Sequence, residues 1–302
     1  MPRKNIRKLR NPNDAVVQQA RSDDILIPVM GPTGVGKSTF INNIFSKTGS
    51  SQCAPSSDGF ASCTTTMADY RIQVPDSVAA RFPSTRGRCL VLVDTPGFDN
   101  VTVSDTEILR RLAVWLASAY DANMKVGGVV YMYPIYPGRI TRNDVSNIKV
   151  FQKICGKGGL SKVILATTRW DSCPQESGPN REKEVRDNFW NTYPDAPSQA
   201  ESMTRLENSP ESAWKTVETI LERMEDSGIV LALQEQLVDT GKSLPQTDAA
   251  KELRTKILHM LRDLNTDGSQ ARKKRLEDLE REAKDLKVPL SKKIQGLFGI
   301  YG

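Results

Sequence analysis

Short, almost wholly apolar runs alternate along this chain with longer stretches in which apolar positions recur every three or four residues. Residues 25–30 (ILIPVM), 88–94 (RCLVLVD), 127–133 (GGVVYMY) and 162–168 (KVILATT) are too continuous for strands with a wet face. They predict strands buried on both sides, as in a parallel sheet. Residues 67–74 alternate in the manner of an edge strand, and 203–206 predict one further short strand. Helical spacing is found over 39–45, 105–119, 143–154, 181–190 and 210–224, for example at Ile108, Leu109, Leu112, Trp115 and Leu116. The polar, Ser-, Gly- and Pro-rich stretch 47–62 reads as an exposed loop. Strands alternating with helices predict an α/β fold: a three-layer, doubly wound, mostly parallel sheet.

From residue 228 the pattern is helical only. Leu253, Ile257, Met260 and Leu264 keep one stripe, residues 265–269 (NTDGS) interrupt it, and Leu276, Leu279, Ala283 and Leu286 resume it. Such a stripe suits either a short coiled coil or helices folded back on the domain. The organisation expected is therefore a basic arm at 1–22, an α/β domain at 23–227 and a helical extension at 228–302.

Composition narrows the function. The chain has 302 residues, 38% hydrophobic and 26% charged, ample for a sizeable core. It holds a single histidine, His259, and five scattered cysteines, Cys53, Cys63, Cys89, Cys155 and Cys173, without paired spacing. Disulfide scaffolds, zinc ribbons and imidazole catalysis are thereby disfavoured, and a reducing, cytoplasmic setting is expected. The net charge of +6 is concentrated early, at Arg3, Lys4, Arg7, Lys8 and Arg10. That arm suits a solvated leader or peripheral contact with anionic lipid, and no nucleic-acid partner is expected. Leu297-Phe298-Gly299-Ile300-Tyr301, after Lys292 and Lys293, is too short to anchor a membrane alone. No apolar run reaches the length of a spanning helix.

The sharpest chemistry lies directly after the first strand. Gly31-Pro32-Thr33-Gly34-Val35-Gly36-Lys37-Ser38 fits GxxxxGK[ST] between an apolar strand and a helix that begins near Thr39. Such a loop turns backbone N–H groups inward around phosphate oxygens, at the positive end of the helix dipole. Lys37 would bridge the β- and γ-phosphates and the Ser38 hydroxyl would hold Mg²⁺. Asp94-Thr95-Pro96-Gly97 ends the 88–94 strand. There a carboxylate can hold the metal and a glycine amide can approach the γ-phosphate. Thr168-Arg169-Trp170-Asp171 closes the 162–168 strand.

These three motifs, in this order and on these strands, resemble the P-loop GTPase superfamily and its G domain. The nearest resemblance is to the septin-like, immunity-associated (IMAP/AIG-type) GTPases, related to the Toc chloroplast import receptors. It is carried by GPTGVGKSTFIN, SCTTT, VDTPGFDN and TTRWD, and spans roughly residues 24–226. The resemblance implies GTP or GDP with Mg²⁺ as ligands. It implies that Asp171 accepts from guanine N1 and the exocyclic amine, with Arg169 in place of the usual lysine. Thr64, with Thr65 in reserve, would be the switch threonine that senses Mg²⁺ and γ-phosphate, and Asn208 would back the base. Phe98 stands where Ras-like proteins have the glutamine that orients water, which implies slow hydrolysis or a site completed by a partner or by a second copy in a nucleotide-dependent homodimer. Arg139 and Arg142 are the candidates for a trans arginine. The rival functions are a P-loop ATPase or kinase, for which no arginine-rich lid is evident, and a nucleotide-bound scaffold without turnover.

Overall fold

The computed structural model describes residues 21–48, 52–55, 66–100, 102–136, 138–190, 202–224, 228–264 and 270–286. The basic arm up to residue 20, Thr64, Thr65 and the apolar 297–301 stretch lie outside the described residues.

Seven strands form one sheet: β1 (Ile25–Met30), β2 (Ala68–Gln73), β3 (Cys89–Asp94), β4 (Lys125–Val126), β5 (Val129–Pro134), β6 (Val163–Thr168) and β7 (Met203–Arg205). They run in the order β2-β3-β1-β5-β6-β7, with β4 beside the start of β1. Every pairing is parallel except β2 with β3, so the alternating strand is indeed the antiparallel edge. The helices of six residues or more are α1 (Lys37–Ser46), α2 (Asp76–Arg81), α3 (Asp105–Asp121), α4 (Arg142–Leu160), α5 (Gly178–Val185), α6 (Pro210–Arg223), α7 (Asp248–Leu264) and α8 (Gln270–Asp285).

The side-chain alternation of β1 sorts the core into two layers. Ile25, Ile27 and Val29 face one cluster with Phe40, Ile44, Trp214, Val217 and Ile220, from α1 and α6. Leu26 and Met30 face the other, with Leu112, Trp115, Phe151 and Ile154 from α3 and α4. A sheet covered on both faces is what the continuous apolar runs require, and the expected three-layer α/β architecture is present.

Three local readings are corrected. The strand expected over 127–133 begins only at Val129, with the short β4 before it, because the ladder from β1 passes to β4 at Ile25 and Leu26 and to β5 only at Val29 and Met30. The gap sits opposite Pro28, which has no amide to donate. Gly127 and Gly128 bridge it, pressed so close that a Cβ would fall 2.5 Å from Ile25 Cγ2 and 2.7 Å from Ile220 Cγ2. Helix α4 starts at Arg142, one residue before the expected Asn143, because Thr141 and Asp144 form a capping box there. The 47–62 stretch is not wholly exposed, since Ala54 is fully buried and pinned at both backbone groups by the Asn42 amide, at 2.7 and 3.0 Å.

Where its side chains are described, the stripe of the helical extension faces inward. Leu253, Ile257, Leu279, Ala283 and Leu286 join the same cluster as Phe151 and Ile154, with α7 against α4 and α8 against α7. Leu253 and Ile257, at 0% and 1% exposure, each contribute roughly 1.5–3 kcal/mol of transfer free energy. Among the described residues no helix is long and apolar enough to cross a membrane.

Candidate functional site

The carboxyl ends of β1, β3 and β6 meet at one cleft, where ligands of open α/β sheets bind. After Met30 the chain turns through Gly31, Gly34 and Gly36, at φ of 143°, 75° and 98°, and enters α1. These are left-handed or wider backbone angles that residues with a Cβ resist, and they explain the glycine spacing. Lys37, 6% exposed, arches back over the loop and donates to the carbonyls of Gly31 at 3.2 Å and Pro32 at 2.8 Å. Burial is the larger influence on its ammonium and lowers its pKa to about 8, against the opposing pull of Asp94. The Ser38 hydroxyl donates to Asp94 Oδ2 at 2.7 Å. A hydroxyl and a carboxylate oxygen side by side are hard donors of the kind Mg²⁺ takes.

The chain beyond β3 lies on the phosphate loop. Thr95 Oγ1 donates to the Val29 carbonyl at 2.8 Å. Thr33 donates from its hydroxyl to the Gly97 and Phe98 carbonyls, at 3.2 and 3.4 Å, and from its amide to Phe98 at 3.3 Å. A Cβ on Gly97 would fall 2.4 Å from Thr33 N, so only glycine permits this approach. The ring of Phe98 points away from the cleft into the core and is 6% exposed.

Next along, Asp99 takes φ of 63°. Lys256 of α7, 3% exposed, donates to Asp99 at 2.7 Å, Asp105 at 2.6 Å and Asn147 Oδ1 at 2.6 Å, and Asn147 donates in turn to Asp99. The opposed carboxylates outweigh burial and leave the Lys256 ammonium above its ordinary pKa.

At the other end of the cleft, Thr168 Oγ1 donates to the Val35 carbonyl at 3.0 Å. Arg169, at φ of 62°, donates to the Gly34 carbonyl at 2.7 Å. Asp171 is exposed, and its carboxylate accepts from the Ser172 amide at 3.0 Å. Asn208, at φ of 50°, accepts from Asn43 Nδ2 at 3.2 Å. A cavity of about 190 Å³ is bounded by Gly34, Thr39, Thr168, Asp171, Leu206 and Asn208. Val35, Gly36 and Arg169 complete the part of its wall named from sequence. Arg139 and Arg142 are exposed on and after the loop that follows β5, and neither lines this cavity.

Sequence reasoning missed Asn43, Leu206 and Met132 as cavity walls. Asn43 was within reach, being four residues after Thr39 and so on the same helix face. Lys256 carries no local signal, because its partners stand more than a hundred residues away.

The depressed Lys37 has a testable sign. Its unfolded form keeps the proton up to about pH 10.5 and its folded form only to about pH 8. The nucleotide-free fold therefore gains stability as pH rises between those values. A triphosphate held by this ammonium would be bound more weakly as pH rises beyond about 8. Calorimetry in buffers of different ionisation enthalpy should show proton uptake on binding, and an affinity flat from pH 7 to 9.5 would contradict it.

Residues 26–160 match the family model described as 50S ribosome-binding GTPase. This stretch takes in the phosphate loop and 94–97 and stops before Thr168–Asp171. No curated protein matches the chain. Among solved structures, Toc33 from Arabidopsis thaliana in complex with GDP and Mg²⁺ is 16% identical, covering 66% of this chain and 84% of that one, at a TM-score of 0.47. Aquifex aeolicus Era bound to GDP and AlF4⁻ is 16% identical over 78% of this chain and 67% of that one, at a TM-score of 0.42. The elongation factor SelB from Methanococcus maripaludis in complex with a GTP analogue is 13% identical over 68% and 35%, at a TM-score of 0.42.

Proposed function

We propose that this chain binds GTP and GDP with Mg²⁺ and acts as a regulatory or scaffolding switch with slow or dimer-assisted hydrolysis. One observation carries the reading: a single cavity has the phosphate loop on one wall and Asp171 on the other. Lys37 and the loop amides would hold the β- and γ-phosphates, and Ser38 and Asp94 would hold the metal. When bound, Mg²⁺ neutralises charge developing on the phosphate oxygens. Asp171, acceptor only when ionised, suits the donor edge of guanine and opposes the acceptor at adenine N1. Arg169, whose bond to the Gly34 carbonyl ties the base motif to the phosphate loop, would lie along the base or ribose. Thr64 keeps its assigned part as switch threonine in this reading, and Asn208 backs the base. The septin-like, immunity-associated subtype is supported by the wording of the motifs, and a cytoplasmic setting by the cysteine pattern.

The buried Phe98 ring favours a second reading, a nucleotide-bound scaffold without turnover, since no side chain at that position can orient water. Arg139 or Arg142 in a second copy is the candidate for completing the site. Single-turnover hydrolysis that accelerates with protein concentration would support the homodimer, and a concentration-independent zero rate would leave the scaffold.

Guanine recognition is tested by comparing labelled GTP and ATP. Wild type should prefer GTP, and Asp171→Asn should lower that preference by about ten-fold or more, the loss of a charge-assisted bond of roughly 1.5–3 kcal/mol. An unchanged GTP/ATP ratio in that variant would remove Asp171 from the reading.

A further inference from the structure

Asp171 has little of its own to aim it. Its carboxylate is exposed and, among the described residues, bonds to Ser172, through the amide at 3.0 Å and the hydroxyl at 3.5 Å. Its position is inherited from the residue before it. Trp170 is fixed at both ends: its indole N–H donates to the Thr167 carbonyl and hydroxyl, each at 3.1 Å. The Cys173 amide then donates to the Trp170 carbonyl at 3.2 Å, closing the turn that contains Asp171. Gly178, at the start of α5, lies against the ring, where a Cβ would come within 3.1 Å of Cζ3.

The last partner comes from the edge strand. Arg205 of β7, in register with Thr167, sets its guanidinium carbon 4.4 Å from the centre of the Trp170 ring. The same guanidinium is held edge-on by Glu182 of α5, Nε to Oε1 at 2.9 Å and Nη2 to Oε2 at 2.5 Å. A bidentate carboxylate fixes the plane of the fork, and the fixed plane then stacks on the aromatic face. Three elements thus converge on one tryptophan whose next residue reads the base.

We propose that Arg205 is a positioning residue for guanine selectivity, acting on Asp171 through the Trp170 ring and held in plane by Glu182. This rests on the assignment of Asp171 to the base and adds the device that aims it. Arg205 touches no part of the nucleotide in this scheme. Lysine would keep the charge and lose the fixed plane, so the arginine is specific to the task.

The test uses the full chain and four variants, Arg205→Ala, Arg205→Lys, Asp171→Asn and the Arg205→Ala/Asp171→Asn double, titrated with labelled GDP, GTP and ADP. In Arg205→Ala the GDP/ADP affinity ratio should fall about five-fold, the size of a cation–π contact of roughly 1 kcal/mol. The GTP/GDP ratio should stay put, because the phosphate end is untouched. Arg205→Lys should fall between wild type and alanine. With Asp171→Asn already present, Arg205→Ala should move the GDP/ADP ratio no further, the non-additivity expected of residues acting as one unit. An Arg205→Ala ratio equal to wild type, or an equal drop in both backgrounds, would overturn the positioning role. If Asp171→Asn alone keeps the ratio, the base assignment itself falls and this inference with it. If Asp171→Asn loses the ratio while Arg205→Ala keeps it, only the inference falls.

Discussion

Lys37→Ala should bind guanine triphosphate at least a hundred-fold more weakly than wild type while remaining folded. The ammonium would meet two phosphates, and charge-assisted bonds of roughly 1.5–3 kcal/mol each sum to a loss of that order. Stability should move the other way or not at all. The side chain is buried, its pKa lowered to about 8 by that burial, and its bonds in the nucleotide-free protein go to the carbonyls of Gly31 and Pro32. Removing a desolvated cation from such a place relieves a cost, and the carbonyls it leaves face a cleft that water can enter. Calorimetric titration beside thermal unfolding separates the two quantities. A variant that still binds at near wild-type affinity would mean that the loop does not hold a polyphosphate.

Lys256→Met is expected to be the most destabilising single change outside the apolar core, by about 3–5 kcal/mol. That is the range for removing one partner of a buried ion pair and leaving the other charged. Methionine keeps the volume of the stem, so the effect reports the charge rather than a cavity. At 3% exposure Lys256 meets two carboxylates and one amide oxygen, all within 2.7 Å. Neutralising a carboxylate should recover part of the loss, so Lys256→Met with Asp105→Asn should be more stable than Lys256→Met alone. Denaturant unfolding would measure this. A single variant within about 1 kcal/mol of wild type would show that Asp99 and Asp105 can be solvated without the lysine.

How far these features could be read from the chain depended on how locally they are encoded. The four central strands were legible to within a few residues because burial on both faces leaves no polar alternation. The phosphate loop and Asp94–Gly97 were legible because glycine at fixed spacing is demanded by backbone angles and close approach. The split between β4 and β5 was hidden, since it depends on Pro28 in a neighbouring strand rather than on the run itself. Helix α2 was not foreseen, being six residues long with only Val78 and Ala79 buried. In the cleft, Thr168, Arg169, Asp171 and Asn208 were named from motifs and do share the cavity wall. What stacks on Trp170 and what grips Asp99 was beyond reach, because Arg205 and Lys256 look like ordinary surface charges until the fold brings their partners to them.

The inward-turned stripe of α7 and α8 has a consequence for where this protein can be divided. A fragment ending at residue 227, where the α/β pattern stops, would uncover Phe151 and Ile154 beneath the missing Leu253 and Ile257. It would also strip Asp99 and Asp105 of their shared cation. Residue 227 is therefore not a natural seam: the phosphate-loop cleft and the helices that follow it in sequence are halves of one solvent-excluded body.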